Sequence, residues 1–221
     1  MSAESLEPAP LVGEVMGSPR PLRVSHLVEA RADGLWGIDL DGSLVDGTGR
    51  VRAHEVRWLL PAGASIFAGT AEGVLRVSAS IRGTPEHIET PAIRDPQVAV
   101  DAERSAIAGI AEDTLHIIRC APTCETLSIP DVAHFRLEFL EHGLVLAHSA
   151  GGEIRVQVWN EEGLSVPVVP APCWSESGGF CAPMAMTSRD GRVVLGGRDG
   201  QDLLVIETRD GARWRRLVGL R

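Results

Sequence analysis

The sequence predicts an all-β fold made of five repeated units, each a four-stranded antiparallel sheet. The first observation is a recurring pattern: a small-and-aliphatic segment, a tight turn rich in Gly and acidic residues, then a segment with alternating apolar residues. The pattern occurs five times, at 34–45, 65–77, 106–118, 144–158 and 192–206. The second observation is that no stretch of about 12 or more residues keeps a helical period. The segment 103–118 comes nearest, but Gly109 and Asp113 disfavour a helix there.

Four strands are predicted in each unit, because short apolar runs alternate with Gly, Asp and Pro. The first, compressed unit has them at 27–31, 35–40, 43–46 and 50–53, and the second at 57–60, 65–69, 74–79 and 87–90. The third has them at 97–100, 106–110, 114–119 and 125–129. The fourth has them at 135–140, 144–148, 153–159 and 164–169, and the fifth at 183–187, 193–197, 202–207 and 213–218.

The spacing of the units predicts how they assemble. Successive turns are 31, 40, 39 and 48 residues apart, measured at Gly42, Gly73, Asp113, Gly152 and Gly200. Four short strands in about 40 residues are typical of a β-propeller blade. One twisted four-stranded sheet cannot cover both of its faces, so blades are expected to pack against one another in a ring.

These repeats resemble the blades of β-propeller proteins, especially bacterial ones with Leu-Trp-Gly and Asp-Gly turns. Here the motifs are Leu35-Trp36-Gly37 and Asp41-Gly42. Five units in this length are similar in size to small five-bladed propellers, among them the tachylectin-like lectins. The segment 208–214 resembles a shortened Asp-box, which in sialidase-type propellers is a structural turn between the third and fourth strands of a blade. The resemblance implies a fold and not an activity.

The predicted organisation is an N-terminal arm, 1–22, followed by a single propeller domain, 23–221. The arm carries Pro and Gly around a short apolar patch. Its first residues lack the basic start and apolar middle of a signal peptide. We therefore expect a cytoplasmic protein if this N-terminus is native, and a secreted or periplasmic one if a leader has been removed.

Charge and hydropathy exclude some partners. The formal net charge is −9, which argues against a nucleic-acid partner, because phosphate binding needs clustered positive charge. No apolar run approaches the roughly 20 residues of a membrane span, so no membrane insertion is expected. Every basic residue is Arg, with no Lys and no Tyr, which is typical of a GC-rich bacterial genome.

Four cysteines form two local pairs, Cys120 with Cys124 and Cys173 with Cys181. An even count at short spacing indicates two loop-closing disulfides. Free buried thiols are the next alternative. A zinc site built from both pairs is disfavoured, because the seven residues inside the second pair make a long spacing for a metal knuckle.

A catalytic alternative comes from the turn around Asp39 and Asp41. This segment resembles the first motif of haloacid-dehalogenase-type phosphotransferases, which implies Asp39 as nucleophile and Asp41 as acid/base. That family needs a parallel sheet with helices and a downstream basic residue. The same segment also aligns with four repeats that lack the aspartates, so a blade turn explains its shape.

A glycosidase would instead use spaced carboxylates, for which Asp101, Glu138 and Glu141 near first strands are the candidates. Sialidase chemistry is disfavoured because the family's nucleophile is Tyr. The seven histidines are scattered, and His148 draws attention because other repeats carry Gly at its position. No metal and no cofactor is predicted.

The longest departure from the repeat is 170–183, between the fourth and fifth units. Such insertions are where propellers commonly bind. Trp174, Glu176 and Phe180 in this loop, together with Trp36, are the predicted binding residues.

The predicted function is therefore a non-catalytic binding propeller that recognises a protein or glycan through loops on one face. The alternative is a hydrolase that uses carboxylates such as Asp39 and Asp41. The tryptophans occupy non-equivalent positions in the repeats, which favours a single protein partner over a lectin-like ligand. A third alternative is that this propeller is the recognition module of a larger assembly, with the function residing in its neighbour.

Overall fold

The structure is a computed structural model that describes residues 24–30, 34–78, 84–121, 123–170, 181–199 and 202–220. These ranges contain five four-stranded sheets in which every strand pair is antiparallel, and they contain no helix. The predictions of an all-β fold and of five four-stranded units are confirmed. The predicted arm, 1–22, lies outside the described residues.

The chain divides into two compact units, 1–92 and 93–221. The first unit contains two sheets. The first sheet consists of β1 (Val24–Ala30), β2 (Gly34–Asp39), β3 (Leu44–Asp46) and β4 (Val51–Ala53). The second sheet consists of β5 (Trp58–Ala62), β6 (Ser65–Gly69), β7 (Gly73–Ser78) and β8 (Glu86–Glu89).

The second unit contains three sheets. The third sheet consists of β9 (Arg94–Asp101), β10 (Arg104–Ala111), β11 (Thr114–Cys120) and β12 (Cys124–Ile129). The fourth sheet consists of β13 (Phe135–Leu140), β14 (Gly143–Ala150), β15 (Glu153–Asn160) and β16 (Gly163–Leu164). The fifth sheet consists of β17 (Cys181–Arg189), β18 (Arg192–Asp199), β19 (Asp202–Thr208) and β20 (Arg215–Leu220).

Each sheet is a meander, since its spatial order follows the chain. Tight turns make this possible. Gly42 between β2 and β3 has a φ of 78°, a conformation that other residues rarely adopt. In such a meander the first and third turns lie at one end of the sheet, and the second turn lies at the other.

Apolar faces of neighbouring sheets form the cores. In the first unit, Trp36 and Leu44 of the first sheet pack against Ile66 and Val77 of the second. In the second unit, one core lies between the third and fourth sheets and another between the fourth and fifth. The fourth sheet, buried on both faces, has β14 buried along its whole length. A strand buried on both faces is mostly apolar, and β14 is small or aliphatic apart from His148 and Ser149.

The outer strand of the fourth sheet is shorter than the predicted 164–169. Regular pairing ends at Leu164; beyond it, the Ser165 N–H donates to the Val158 carbonyl at 2.9 Å and an isolated bridge joins Val156 to Val168. The Ser165 hydroxyl accepts a hydrogen bond from the Val158 N–H at 2.9 Å, in place of a ladder carbonyl. Pro167 has no N–H to donate, so the ladder is interrupted there.

Among the described residues, there is no helix that is long and apolar enough to cross a bilayer.

Candidate functional site

A cleft of about 590 Å³ lies between the third and fourth sheets of the second unit. It opens where the first and third turns of both sheets meet, the β9–β10 and β11–β12 turns on one side and the β13–β14 and β15–β16 turns on the other. Phe139 and Leu144 contribute its apolar part, and its polar lining comes from arginine, glutamate, His142 and Asn160 side chains.

Arg104 joins the two sheets at one side of the cleft. Its guanidinium lies 4.8 Å from the centroid of the Phe139 ring and donates to the backbone carbonyl of Leu140 at 2.9 Å. The same guanidinium is paired with Asp101 on its own sheet. That hydrogen bond, together with the Ala102 N–H, holds the pKa of Asp101 below its ordinary value. The charge of Arg104 is therefore already balanced.

Arg119 repeats this arrangement at the other side. It lies 4.3 Å from the centroid of the Trp159 ring, donates to the Trp159 carbonyl at 2.9 Å, and pairs with Glu125 at 2.7 Å. A cation over an aromatic face is attracted by the ring quadrupole, and both arginines add hydrogen bonds to the neighbouring backbone. The two arginines thus hold the walls of the cleft together.

The remaining charge in the cleft is negative. Arg104 and Arg119 are neutralised by Asp101 and Glu125, which leaves Glu141, Glu161 and Glu162. Glu161 and Glu162 lie in the exposed turn between β15 and β16, and Glu141 lies in the exposed turn between β13 and β14. The cleft therefore offers an acidic rim above the buried side chains of Phe139 and Leu144.

A disulfide closes one rim of the cleft. Cys120 and Cys124 are bonded across the β11–β12 turn, which confirms that predicted pair. The turn residues Ala121 and Thr123 line the cleft, so the bond restrains part of its wall. The second predicted pair, Cys173 with Cys181, involves a cysteine outside the described residues and stays a prediction.

A smaller cavity of about 210 Å³ lies where the first turns of the third, fourth and fifth sheets meet. Beside it, Glu138 on β13 accepts a hydrogen bond from the Ser188 hydroxyl at 3.2 Å. Burial raises the pKa of Glu138, and the nearby charge of Asp101 acts in the same direction; hydrogen bonds from Ser188 and the Phe139 N–H oppose this. Two of the predicted carboxylates, Asp101 and Glu138, are thus close enough to interact, with pKa values displaced in opposite directions.

Most of the predicted binding loop, 170–183, lies outside the described residues. Trp174, Glu176 and Phe180 lie outside the described residues, and their role stays a prediction. Cys181, where the chain resumes, pairs with Asp199 at the end of the fifth sheet opposite the β17–β18 turn. The cleft therefore lies at the other end of these sheets from the point where that loop rejoins them.

Trp36, the fourth predicted binding residue, is only 1% exposed in the core of the first unit. Arg52 lies 5.9 Å from the centroid of its ring and donates to Asp46 at 2.7 Å. The Asp46 carboxylate also accepts from the Thr48 hydroxyl and from the N–H groups of Thr48 and Arg50. In this position Trp36 supports the packing of the sheet, and a role in partner binding stays a prediction.

Asp39 and Asp41 lie in the β2–β3 turn. The Oδ1 atom of Asp39 accepts hydrogen bonds from the N–H groups of Asp41 and Ser43, at 3.0 and 2.7 Å. The aspartate therefore stabilises the turn, as expected from the blade interpretation. The parallel sheet and helices that phosphotransfer would need do not occur among the described residues.

His148 is buried in the fourth sheet, and its Nε2 atom lies 3.0 Å from Oε1 of Gln157. Burial lowers its pKa, the hydrogen bond with Gln157 acts against this, and the charge of Arg155 adds to the lowering. The Gln157 amide in turn donates to the Ser165 carbonyl at 2.9 Å. This chain of contacts gives His148 a structural role, linking β14 to the outer edge of its sheet. Across the residues that the structure describes, no three His, Cys, Asp or Glu side chains are arranged to hold a metal ion.

The segment 208–214 forms the turn between β19 and β20, the third and fourth strands of the fifth sheet. The Asp210 carboxylate accepts from the N–H groups of Ala212 and Arg213, at 2.9 and 2.8 Å, and from the Thr208 hydroxyl. Trp214 donates its indole N–H to the Gly211 carbonyl at 3.1 Å. The turn is closed by its own side chains, while its identification as a degenerate Asp-box stays an interpretation.

The cleft was not among the sites predicted from the sequence. Its arginine–aromatic pairs join residues 35 and 40 positions apart on different sheets, so no local motif announces them. The signal available in the sequence was the pair of arginines on β10 and β11 together with two aromatic residues one repeat later.

No protein-family model matches this chain, and no curated protein matches it in sequence. Solved structures are similar to it. Oligopeptidase B from Trypanosoma brucei, in a closed form with covalently bound antipain, superposes with a TM-score of 0.56 at 10% identity, over 94% of this chain and 36% of that chain. The complex of the fission yeast SREBP–SCAP binding domains gives a TM-score of 0.54 at 11% identity, over 98% of this chain and 64% of that one.

This chain thus spans about a third of the first of these proteins and just under two thirds of the second. At such identities the likeness shows the fold alone. Together with the five four-stranded antiparallel sheets, it confirms the predicted β-propeller fold class.

Proposed function

We propose that this protein is a non-catalytic binding module that recognises a protein partner through the cleft between the third and fourth sheets. The observation that carries the proposal is the acidic rim of this cleft, since Glu141, Glu161 and Glu162 have no basic partner among the described residues. Interfaces commonly place apolar anchors at the centre and charged groups at the rim.

The partner that fits this cleft carries a basic segment. Glu141, Glu161 and Glu162 attract Lys or Arg side chains, and the net charge of −9 adds long-range attraction for a cationic partner.

The walls of the cleft are held before any partner arrives. The Arg104 and Arg119 contacts and the Cys120–Cys124 bond fix both sides, which reduces the ordering cost of binding. The complex of the fission yeast SREBP–SCAP binding domains is a protein–protein complex on a similar fold, which agrees with the proposal.

The test is affinity capture from the source cell, followed by mass spectrometry. The wild-type chain is compared with a triple variant, Glu141→Gln, Glu161→Gln and Glu162→Gln. A matched control, Glu55→Gln, Glu72→Gln and Glu89→Gln, makes the same charge change at exposed positions of the first unit. We expect a basic partner with the wild type and the control, and its loss with the cleft variant. Equal recovery with all three would contradict the assignment of the cleft.

A hydrolase is the second candidate, and one observation favours it. Asp101 and Glu138 have pKa values displaced in opposite directions beside a cavity of about 210 Å³, which is how paired carboxylates divide acid and base roles. Generic glycosidase and phosphatase substrates test this alternative. Turnover that Glu138→Gln abolishes would support it, and turnover that only Asp39→Asn abolishes would point to the β2–β3 turn instead.

A further inference from the structure

A second charged surface lies in the fifth sheet, and its sign is opposite to that of the protein. Residues 189–221 contain eight of the 21 basic residues but only five of the 30 acidic ones. Several of these arginines converge on a cavity of about 320 Å³ lined by Arg192, Arg209, Arg213, Arg215, Glu207, Thr208 and Asp210. We call this cavity the arginine pocket.

The antiparallel register brings these residues together. Val193 pairs with Thr208, so Arg192 at the start of β18 lies beside Arg209 at the start of the β19–β20 turn. Glu207 on β19 pairs with Arg215 on β20. The pocket is therefore formed by the β19–β20 turn and by the ends of β18, β19 and β20 in a single sheet.

Both carboxylates in the pocket are already occupied. Glu207 lies between Arg192 and Arg215 and is ion-paired with each. Burial alone would raise the pKa of Glu207, but its contacts with these two arginines lower it. Asp210 accepts from Ala212, Arg213 and Thr208 within the turn, and these hydrogen bonds lower its pKa as well. The lining nevertheless holds four arginines against two carboxylates, which leaves a formal excess of two positive charges.

The remaining donors are exposed to solvent. Arg209 and Arg213 are exposed, and neither guanidinium has an acceptor among the described residues. The side chain of Arg215 is 70% exposed and presents further N–H groups to the same space. A guanidinium offers five donors in a planar fork that matches the oxygens of phosphate, sulfate or carboxylate groups.

We infer that the arginine pocket is a binding site for a tetrahedral oxyanion, a phosphate or sulfate group, held by Arg209 and Arg213 with support from Arg215. A water molecule occupies about 30 Å³ of the liquid, so a pocket of this volume accommodates such a group together with several waters. Hydrogen bonds between ionised partners are shorter and stronger than neutral ones, which favours an oxyanion over a neutral ligand. This site does not depend on the proposed function of the cleft.

The test is isothermal titration calorimetry of the full chain with sodium phosphate, and separately with sodium sulfate, at constant ionic strength set with sodium chloride. The double variant Arg209→Gln, Arg213→Gln removes the two exposed donors. A matched control, Arg189→Gln, removes an arginine whose side chain is 88% exposed in the β17–β18 turn and lies outside the pocket lining. Thermal melts check that all three chains fold.

We expect both anions to bind the wild type and the control with one site per chain. In the double variant the dissociation constant rises by about tenfold or more for each arginine removed. Equal binding by the variant, or heats no larger than those of a chloride titration, would overturn the site. Binding of phosphate but not sulfate, or the reverse, supports the site and identifies the group. Since neither variant touches the cleft, failure here leaves the partner-capture experiment unaffected.

Discussion

The two units use the same three kinds of side chain in different ways. In the first unit, Arg52, Trp36 and Asp46 form a closed group in which the Asp46 carboxylate is fully buried and Arg52 is 9% exposed. In the second unit, Arg119, Trp159 and Glu125 form a similar group, but its carboxylate is largely exposed and the group borders an open cleft.

The difference lies in how completely the carboxylate is satisfied and removed from water. Asp46 accepts hydrogen bonds from Thr48, Arg50 and Arg52, and nothing from outside its own sheet is needed. Glu125 accepts a hydrogen bond from Arg119 and lies at the rim of the open cleft. The closed group is therefore screened from water by the fold, whereas the open one is exposed to solvent at the cleft.

The largest effect is expected from Asp46→Ala. Removing this carboxylate breaks a buried ion pair with Arg52 and takes away the acceptor of three further hydrogen bonds from Thr48 and Arg50, so we expect a loss of about 3–5 kcal/mol in the free energy of unfolding. Urea denaturation measures it. The control is Asp41→Ala in the exposed β2–β3 turn, where a change within about 0.5 kcal/mol is expected.

The stabilisation from Asp46 also depends on pH. Burial alone would raise its pKa, but hydrogen bonds from Thr48, Arg52 and Arg50 outweigh this and lower it. A lowered pKa in the folded state means that the stabilisation is present above the unfolded pKa and is lost as the pH falls through the folded value. The stability difference between the wild type and Asp46→Asn should therefore shrink on acidification. A difference that stays constant down to pH values below the folded pKa would contradict this account of Asp46.

A smaller effect is expected from Arg119→Ala. It removes the contact with Trp159, one hydrogen bond to a backbone carbonyl and the exposed pair with Glu125, so we expect a loss of about 1–2 kcal/mol. Chemical denaturation of this variant and of Arg189→Ala, which has only an exposed pair with Asp190, gives the comparison. A loss as large as that of Asp46→Ala would show that the open group is as structural as the closed one.

The smallest effect is expected from Glu138→Gln. Because burial raises the pKa of Glu138, the folded state favours the protonated side chain. The stability that this protonated side chain contributes is lost as the pH rises through the pKa of the folded state. The variant should be more stable than the wild type near neutral pH by less than about 1 kcal/mol, with the difference disappearing at acidic pH. Thermal melts across pH measure this, and a variant that is less stable than the wild type at neutral pH would contradict it.

The sequence predicted the strands well because their signals are local. A glycine such as Gly42 marks a turn, and the alternation in the flanking residues marks strands that pair across it. The outer strand predicted at 164–169 is too long. The Ser165 hydroxyl accepts the hydrogen bond of the Val158 N–H, and Pro167 has no N–H to donate. The alternation of apolar residues carries no information on either effect.

The candidate site was less accessible to sequence reasoning. Trp36 was predicted as a binding residue because it belongs to the Leu-Trp-Gly motif. A tryptophan in a blade core and a tryptophan on a binding surface cannot be distinguished by such a motif. The cleft depends on contacts between sheets, such as that of Arg104 with Phe139, and these emerge only when the repeats are stacked. Glu125 is paired with Arg119, whereas Glu161 has no basic partner among the described residues. This difference also depends on the three-dimensional positions of the side chains, which the sequence does not give.

The measurement that tests the central claim most directly is a titration of the isotope-labelled chain with a pentalysine peptide, followed by amide chemical shifts. The account predicts that the largest shift changes cluster at 119–125, 139–144 and 160–162, that pentaglutamate causes none there, and that the Glu141, Glu161 and Glu162 triple variant loses them. Shift changes confined to the first unit, or spread evenly over the acidic surface, would contradict the assignment of the cleft as the binding site.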